Sequence, residues 1–195
     1  PSLSATSQKA GLVLPQPVRA WTVMVFANGK NDLNVSTWMD ANEMEAIGSG
    51  PDVNVVLELG LRESDDSDKP GAHAWTGTRR FFIAKDKNPD KLGAVPLSGP
   101  RMGDMGSYRH LANFGKWVKS NFPAKKYMLI VANHGEGVRG ISIDGVSGNR
   151  IQPAQMGRAL QLMGGVDVYA SDACLMQMAE VAYERVDNGR FRHSA

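Results

Sequence analysis

Short apolar runs alternate along the chain with longer stretches in which apolar residues recur every three or four positions. The short runs are apolar at successive positions and rich in β-branched and aromatic residues, which is typical of strands buried on both faces of a sheet. They predict strands at residues 21–27, 53–59, 78–84, 126–133 and 166–170. The longer stretches carry one apolar face and predict helices at residues 33–47, 107–121, 153–163 and 175–186.

Strands that alternate with helices predict an α/β fold, with a mainly parallel central sheet covered by helices on both faces. In such sheets ligands bind beyond the carboxyl ends of the strands. His134 directly follows the strand predicted at 126–133, and Cys174 lies just past the strand predicted at 166–170. The 40 residues that separate these two positions are enough for a right-handed crossover, so the two strands are expected to be neighbours.

The composition is that of an ordinary globular protein of 195 residues, with 42% hydrophobic and 22% charged residues. The formal net charge of +2 gives no electrostatic reason to expect nucleic acid as a partner. No apolar run approaches the roughly 18 residues that span a bilayer. Residues 1–20 contain three prolines and little periodicity, and we interpret them as an N-terminal leader or arm that precedes a domain at 21–195.

Cys174 is the single cysteine, so this chain holds neither an internal disulfide nor a thiolate-rich metal site. Two interpretations of it are open: a small buried apolar side chain, as most lone cysteines are, or a reactive thiol. His134 favours the second, because an imidazole can accept the thiol proton, stabilise the thiolate and later protonate a leaving amine. The helix predicted from residue 175 would add partial positive charge beside the sulfur.

A glycine beside the histidine extends this hypothesis. Gly135 lets a substrate carbonyl approach the main chain, and the amides of Gly135 and Cys174 are candidates for an oxyanion hole. For His134 alone, the alternative is a strand-end histidine bonded to a loop carbonyl. No chemistry is assigned to the other histidines, which lie in a polar loop, among the surface residues of a predicted helix and near the chain end: His73, His110 and His193.

Two polar segments raise the question of ligand binding. Residues 63–68 are rich in carboxylates and fit either a cation site or a solvated loop. Residues 28–32 read Asn-Gly-Lys-Asn-Asp, which is turn chemistry. They lack both of the common glycine-rich phosphate cradles, which argues against a nucleotide-binding domain.

Three segments resemble the clostripain family of cysteine peptidases: WTVMVFANGKNDL, FPAKKYMLIVANHGEGVRGISID and VDVYASDACLMQMAEVAYE. The similarity covers most of residues 21–187, and NHG and DACLM, each after an apolar strand, are specific in combination. The resemblance implies the caspase-like three-layer α/β/α sandwich and a catalytic dyad that maps onto His134 and Cys174. It also implies a bacterial endopeptidase, secreted or associated with the cell envelope, that cleaves proteins or peptides after Arg above all, or Lys.

The implied preference for a basic residue draws attention to Asp172, two residues before the candidate nucleophile. Its carboxylate could pair with a guanidinium in a partly dry pocket. Ser171 and Asp172 are equally competent as caps of the helix predicted to follow. Both interpretations of Asp172, substrate binding and helix capping, therefore stay open.

The chain departs from the family pattern in two respects. Relatives continue beyond the equivalent of residue 187 with a further strand and part of the specificity pocket, so we expect the domain at 21–195 to be truncated at its C-terminal end. Residues 28–32 are less acidic than in relatives, which weakens the inference of a bound calcium ion. Calcium is kept as an open option, and no other cofactor is expected.

Members of the family often cut themselves between the histidine and cysteine segments. The resemblance therefore implies a self-cleavage region at 139–158, where Arg139, Arg150 and Arg158 are available. Arg150 is favoured because it ends a glycine-containing loop that we expect to be exposed. Two functions from other classes remain as alternatives. One is an inactive or incomplete caspase-like domain that acts as a binding module, and the other is a structural domain with a buried cysteine.

Overall fold

The computed structural model describes residues 17–63 and 75–188. It contains a six-stranded sheet made of β1 (Arg19–Gly29), β2 (Val53–Leu61), β3 (Gly77–Phe82), β4 (Val95–Pro96), β5 (Ala124–Ala132) and β6 (Val168–Asp172). Their order in space is β4-β3-β2-β1-β5-β6. The four strands β2, β1, β5 and β6 run parallel to one another. β3 pairs antiparallel with both β2 and β4. The predicted mainly parallel sheet is confirmed.

Helices cover both faces of this sheet. They are α1 (Asn34–Met44), α2 (Tyr108–Asn121), α3 (Pro153–Leu162) and α4 (Ala179–Asn188), with a 3₁₀ turn at Gly137–Arg139. α1 packs on one face, α2 and α3 pack together on the other, and α4 packs against α3. This is the three-layer α/β/α arrangement that the alternating pattern predicts.

Side chains on opposite faces of β1 belong to two separate cores. Met24 and Phe26 are fully buried in the larger core, together with Phe114 of α2. Val25 is buried in the smaller core with Trp38 of α1. Burial of one large apolar side chain contributes roughly 1.5–3 kcal/mol. This gain is available on both faces of β1, which explains why apolar residues occupy successive positions along the strand.

The predicted third strand has the expected position, but it runs in the opposite direction to β2. Leu57 of β2 and Phe81 of β3 are partners across an antiparallel pairing. The two-residue β4, which the pattern did not predict, extends this side of the sheet by pairing Pro96 with Phe81. Sheets that are otherwise parallel commonly carry an antiparallel strand at one side, so the apolar run predicted a buried strand here without fixing the direction of that one strand.

The last helix begins later than predicted. Residues 175–178 are not part of α4, which starts at Ala179. Leu175 has a φ of 60°, in the left-handed region that a right-handed helix does not contain. The chain therefore turns at Leu175 before it enters the helix, and the prediction of a helix from residue 175 is wrong at its start.

The sheet also includes the end of the predicted N-terminal arm. β1 begins at Arg19, whose guanidinium donates a hydrogen bond of 3.1 Å to the carbonyl of Val53. Residues 1–16 of the arm lie outside the described residues. Among the helices that the structure describes, none is long and apolar enough to cross a membrane.

Candidate active site

The carboxyl ends of β5 and β6 lie side by side. Ala132 and Asp172 are partners across these parallel strands, and the amide of Asn133 donates a hydrogen bond of 3.2 Å to the carbonyl of Asp172. His134 lies two residues after Ala132, and Cys174 lies two residues after Asp172. The structure thus brings the two residues to neighbouring strand ends, as the sequence predicts.

Gly135 allows these strand ends to meet closely. It is buried, and a side chain built on it would collide with the carbonyl oxygen of Cys174 and with Met176. Within the part of the chain that the structure describes, neither the Gly135 nor the Cys174 amide donates a main-chain hydrogen bond. Both amides therefore keep a donor for another acceptor, as an oxyanion hole requires.

The thiol of Cys174 is exposed. The interpretation of this residue as a buried structural cysteine is therefore wrong. The positive charge expected from a helix directly after Cys174 is also missing, because α4 starts at Ala179 and the helix dipole acts only near the first turn. Activation of the thiol must come from nearby side chains and main-chain groups, of which His134 is the first candidate.

His134 has a side-chain partner that the sequence analysis missed. Its Nε2 atom lies 2.8 Å from Oδ1 of Asp32, in the loop after β1, so the ring pairs with a carboxylate rather than with a loop carbonyl. The side chains are 40% exposed for His134 and 76% exposed for Asp32. The hydrogen bond with His134 holds the pKa of Asp32 below its ordinary value. The sequence did contain a signal for this contact: Asp32 is an acidic residue shortly after β1, and β1 is the strand beside β5.

The amide side chains of the buried Asn133 and the partly buried Asn31 hold the loops on both sides of the imidazole. Asn133 accepts a hydrogen bond of 2.7 Å from the amide of Ile143 and donates to the carbonyl of Asn28. Asn31 donates a hydrogen bond of 2.7 Å to the carbonyl of Ile143. These bonds join the ends of β1 and β5 to the segment that follows the 3₁₀ turn. They fix the main chain that carries the imidazole and its carboxylate partner.

A buried ion pair lies beneath the same loops. Nζ of Lys30 is 2.9 Å from Oδ2 of Asp144, and these side chains are 5% and 0% exposed. Asp144 also accepts hydrogen bonds from the amides of Met105, Val146 and Ser147, at 2.9, 2.9 and 3.0 Å. Burial raises the pKa of Asp144, but Lys30 and the amides outweigh burial, so the pKa lies below its ordinary value. Asp144 is therefore buried in its charged form.

Asp172 is the last residue of β6 and lies seven residues before α4, so it does not cap that helix. It lines a cavity of about 290 Å³ between α1 and the sheet. The walls are mainly apolar, with Val25 and Ile130 among them, and Asp40 of α1 supplies a second carboxylate. Burial raises the pKa of Asp40, and the charges of Glu43 and Asp172 raise it further. Asp40 and Asp172 are themselves exposed, so the cavity combines apolar walls with two carboxylates on its solvent-facing side.

Arg150, the favoured self-cleavage site, is less accessible than predicted. The turn at 145–149 is exposed, but Arg150 is partly buried and its guanidinium pairs with the carboxylate of Glu136. The next residue, Ile151, is fully buried and exchanges main-chain hydrogen bonds of 2.8 and 2.9 Å with Ile141. The peptide bond after Arg150 therefore belongs to hydrogen-bonded structure, which would have to open before cleavage.

Other residues singled out by the sequence lie away from this site or outside the described residues. His110 is less exposed than predicted: its side chain is 23% exposed, and its Nε2 lies 3.0 Å from Oε1 of the buried Glu58. His73, His193 and most of the acidic segment 63–68 fall outside the described residues. Among the residues that are described, no group of three or more His, Cys, Asp or Glu side chains is placed to hold a metal ion.

A sequence model of the clostripain family matches residues 25–191. Clostripain from Hathewaya histolytica is 28% identical over 194 residues, with coverage of 87% of this chain and 37% of that protein. A secreted cysteine protease from Bacteroides thetaiotaomicron, in complex with an irreversible peptide inhibitor, has a TM-score of 0.68, 21% identity and coverage of 88% of this chain and 47% of its own. An inactive zymogen protease from Parabacteroides distasonis has a TM-score of 0.61, 22% identity and coverage of 87% and 46%.

The fold and the site together define a class: an α/β/α protein of the caspase-like kind, with an exposed cysteine and a histidine at the carboxyl edge of its sheet. The family match covers well over half of the residues, so the chain belongs to the clostripain family. It spans 37% of the length of clostripain and somewhat under half of the two solved chains.

Proposed function

We propose that this chain carries the catalytic part of a cysteine endopeptidase that cleaves proteins or peptides after Arg or Lys. The observation that supports it most directly is the pairing of β5 with β6, because it sets the exposed thiol of Cys174 and the imidazole of His134 at adjacent strand ends. Membership of the clostripain family supports the same chemistry. The secreted neighbour from Bacteroides thetaiotaomicron supports a location outside the cell or at its envelope.

The proposed reaction starts at the sulfur of Cys174. The thiol proton passes to a ring nitrogen of His134, and the thiolate attacks the carbonyl carbon of the scissile bond. The resulting oxyanion accepts hydrogen bonds from the amides of Gly135 and Cys174, and a single donor of this kind lowers the barrier by roughly 2.7–4 kcal/mol. The imidazolium protonates the leaving amine. Water, deprotonated by the same ring, then hydrolyses the thioester and restores the thiol.

The cavity beside Asp172 supports the proposed preference for basic residues. Its apolar walls suit the aliphatic part of an Arg or Lys side chain, since Val25 and Ile130 line it. The carboxylates of Asp172 and Asp40 suit the cationic head. A hydrogen bond to a charged group contributes roughly 1.5–3 kcal/mol, and because Asp172 is exposed, screening by water places this one at the lower end of that range. Asp172 lies two residues from the candidate nucleophile, which suits it to the residue directly before the scissile bond.

An active-site-directed probe tests this proposal. We would incubate the folded chain with an acyloxymethylketone that carries Arg, and locate the label by mass spectrometry. Labelling is expected at Cys174 in the wild type, none in Cys174→Ser, and strongly reduced labelling in His134→Ala. Asp172→Asn should lower the labelling rate roughly tenfold. A matched probe with Asp in place of Arg is the control for the acidic cavity.

The outcomes separate the functional classes. If folded wild-type chain shows no label at Cys174, the peptidase proposal fails, and the alternative of an inactive domain that acts as a binding module gains support. If the Arg and Asp probes label Cys174 equally fast, the thiol is reactive but the preference for basic residues is wrong. Circular dichroism of each variant shows whether it has kept the fold.

Self-processing within 139–158 is a separate part of the proposal. Arg150 remains the proposed site, on the condition that the pairing of Ile141 with Ile151 opens locally. Intact-mass analysis after long incubation should then show a cut after Arg150 in the wild type but not in Cys174→Ala. Arg150→Gln should block the cut while Cys174 still takes the probe. Identical termini in the wild type and Cys174→Ala would reject self-processing and leave the peptidase proposal standing.

A further inference from the structure

Asp32 is not part of the histidine–cysteine dyad that the sequence predicts, yet it contacts the candidate base directly. Its Oδ1 atom lies 2.8 Å from Nε2 of His134, and the two residues are 102 positions apart in the chain. They meet because β1 and β5 are adjacent parallel strands, so their carboxyl ends lie at the same edge of the sheet. This contact is a consequence of the tertiary fold.

The charge of Asp32 determines where the ring hydrogen lies. The hydrogen bond with His134 keeps the pKa of Asp32 below its ordinary value, so the carboxylate is ionised at neutral pH and acts only as an acceptor. The hydrogen in this bond must therefore belong to Nε2 of His134. In the neutral ring Nδ1 then carries the lone pair, and it is the ring nitrogen that can accept a proton from a thiol.

Asp32 is exposed, but the loop that carries it is anchored on its N-terminal side. The main-chain carbonyl of Lys30 accepts a hydrogen bond of 2.9 Å from the amide of Gly145. The side chain of Asn31, directly before Asp32, donates a hydrogen bond of 2.7 Å to the carbonyl of Ile143. The carboxylate is thus held near the imidazole before any substrate arrives, which is the condition for an effective positioning group.

We propose that Asp32 is a positioning residue that keeps His134 in its Nε2-protonated tautomer and stabilises the imidazolium formed during the reaction. The inference rests on the proposed function. When the S–H bond of Cys174 breaks, the proton forms a new bond to Nδ1, and the electron pair stays on sulfur. The ring keeps its Nε2 hydrogen, which remains bonded to Asp32. The positive charge of the ring is then paired with the carboxylate, and this favours the thiolate–imidazolium pair over the neutral pair.

Solvent exposure limits the size of this effect. The side chain of Asp32 is 76% exposed, so water and salt screen its charge. Removal of a partner that orients a metal-binding histidine typically costs roughly 10- to 100-fold in activity, and we take that range as the guide for His134. We expect the lower end of that range for Asp32→Asn, about tenfold in kcat with KM unchanged, and a smaller effect at high ionic strength.

Two readouts that do not require peptide hydrolysis test the inference. The first is the rate at which iodoacetamide alkylates Cys174, the single cysteine, between about pH 5 and 9, the range where thiols and histidines titrate. The second is the ¹⁵N spectrum of the His134 ring, which distinguishes its tautomers. Asp32→Asn should slow alkylation about tenfold near neutral pH and populate the Nδ1-protonated ring. Asp32→Glu should restore part of the alkylation rate and part of the Nε2-protonated population. Asp52→Asn, which changes an exposed carboxylate at the opposite sheet edge, should match the wild type in both measurements.

The results also separate this inference from the proposed function. Unchanged alkylation and an unchanged ring tautomer in Asp32→Asn would overturn the role of Asp32. A loss confined to KM for an Arg peptide would overturn it as well, because it would assign Asp32 to substrate binding. If His134→Ala leaves the alkylation rate unchanged, the proposed cysteine–histidine chemistry fails instead. The tautomer measurement would still report whether Asp32 orients the ring.

Discussion

The two halves of the candidate site differ in how firmly the protein holds them. His134 follows β5, which pairs with a strand on each side, and it lies above the buried Asn133 and the Lys30–Asp144 ion pair. Cys174 follows β6, which pairs with β5 alone in the described part of the sheet. Four of the five residues at 174–178 are exposed. The imidazole half is therefore continuous with the core, whereas the thiol half lies at its margin.

This difference separates side chains that are needed for folding from side chains that are needed for chemistry. A substitution beneath the imidazole leaves buried polar or charged partners unpaired, and such groups are costly. A substitution of the exposed thiol removes few contacts and should leave stability nearly unchanged. The comparison therefore predicts an order of effects on the free energy of unfolding, which denaturation experiments can measure.

The largest loss is expected from Lys30→Met, because it leaves the carboxylate of Asp144 buried without its cationic partner. The expected cost is about 3–5 kcal/mol in urea unfolding at pH 7. The pKa of Asp144 is lowered in the folded state, so its charged form adds stability above its ordinary value of 3.8. That stability is lost as pH falls through the folded pKa. The difference between Lys30→Met and the wild type should therefore shrink under acid conditions.

A double variant tests the physical cause of this loss. Combining Lys30→Met with Asp144→Asn removes both charges and keeps a side-chain oxygen that can accept from the amides of Val146 and Ser147. The double variant should be more stable than Lys30→Met alone. A double variant that is less stable than the single one would show that the loss comes from packing and not from an unpaired charge.

A smaller loss is expected from Gly135→Ala, which changes the contact between the two halves. The new methyl group would collide with the carbonyl oxygen of Cys174, and the two strand ends must shift apart. Overpacking of this kind costs about 1–3 kcal/mol. Gly50→Ala is the control, because a side chain there meets no atom within 4 Å. Equal thermal stability of Gly135→Ala and Gly50→Ala would contradict the close approach of the strand ends.

Cys174→Ala should change the free energy of unfolding by less than about 0.5 kcal/mol, because the residue is exposed. The same variant should lose all labelling by the Arg probe. Urea unfolding and mass spectrometry on one preparation measure both effects. A loss of more than about 2 kcal/mol is typical of truncation in a core. Such a loss would place the thiol in the packed interior and contradict the difference between the two halves of the site.

The smallest effect is expected from Asp40→Asn, which removes a carboxylate from the cavity beside Asp172. The pKa of Asp40 is raised in the folded state, so the wild type loses stability as pH rises from the ordinary value of 3.8 through the folded pKa. The variant lacks this loss and should have a slightly higher Tm than the wild type at pH 7 and the same Tm near pH 3. Asp52→Asn is the control, because it removes a carboxylate at another exposed position, away from this cavity. A lower Tm for Asp40→Asn at pH 7 would contradict the assigned repulsion.

Much of the fold could be predicted because burial leaves a local pattern. The apolar runs that became β1, β2, β5 and β6 identified the parallel part of the sheet, and their ends identified His134 and Cys174. The start of α4 was mispredicted, because the left-handed conformation of Leu175 leaves no mark in an amphipathic pattern. The role of His110 was also missed, because its partner Glu58 lies on a strand 52 residues away.

The sequence by itself determined the alternation of strands and helices, the identity of the single thiol and its place beyond a strand beside a histidine. Those features depend on residue type and on order over a few positions. Only the tertiary structure decided that Asp32 meets His134, that Lys30 and Asp144 form a buried pair, and that Asp172 shares a cavity with Asp40. These contacts join residues more than 100 positions apart, and chain distance carries no information about which strand ends become neighbours.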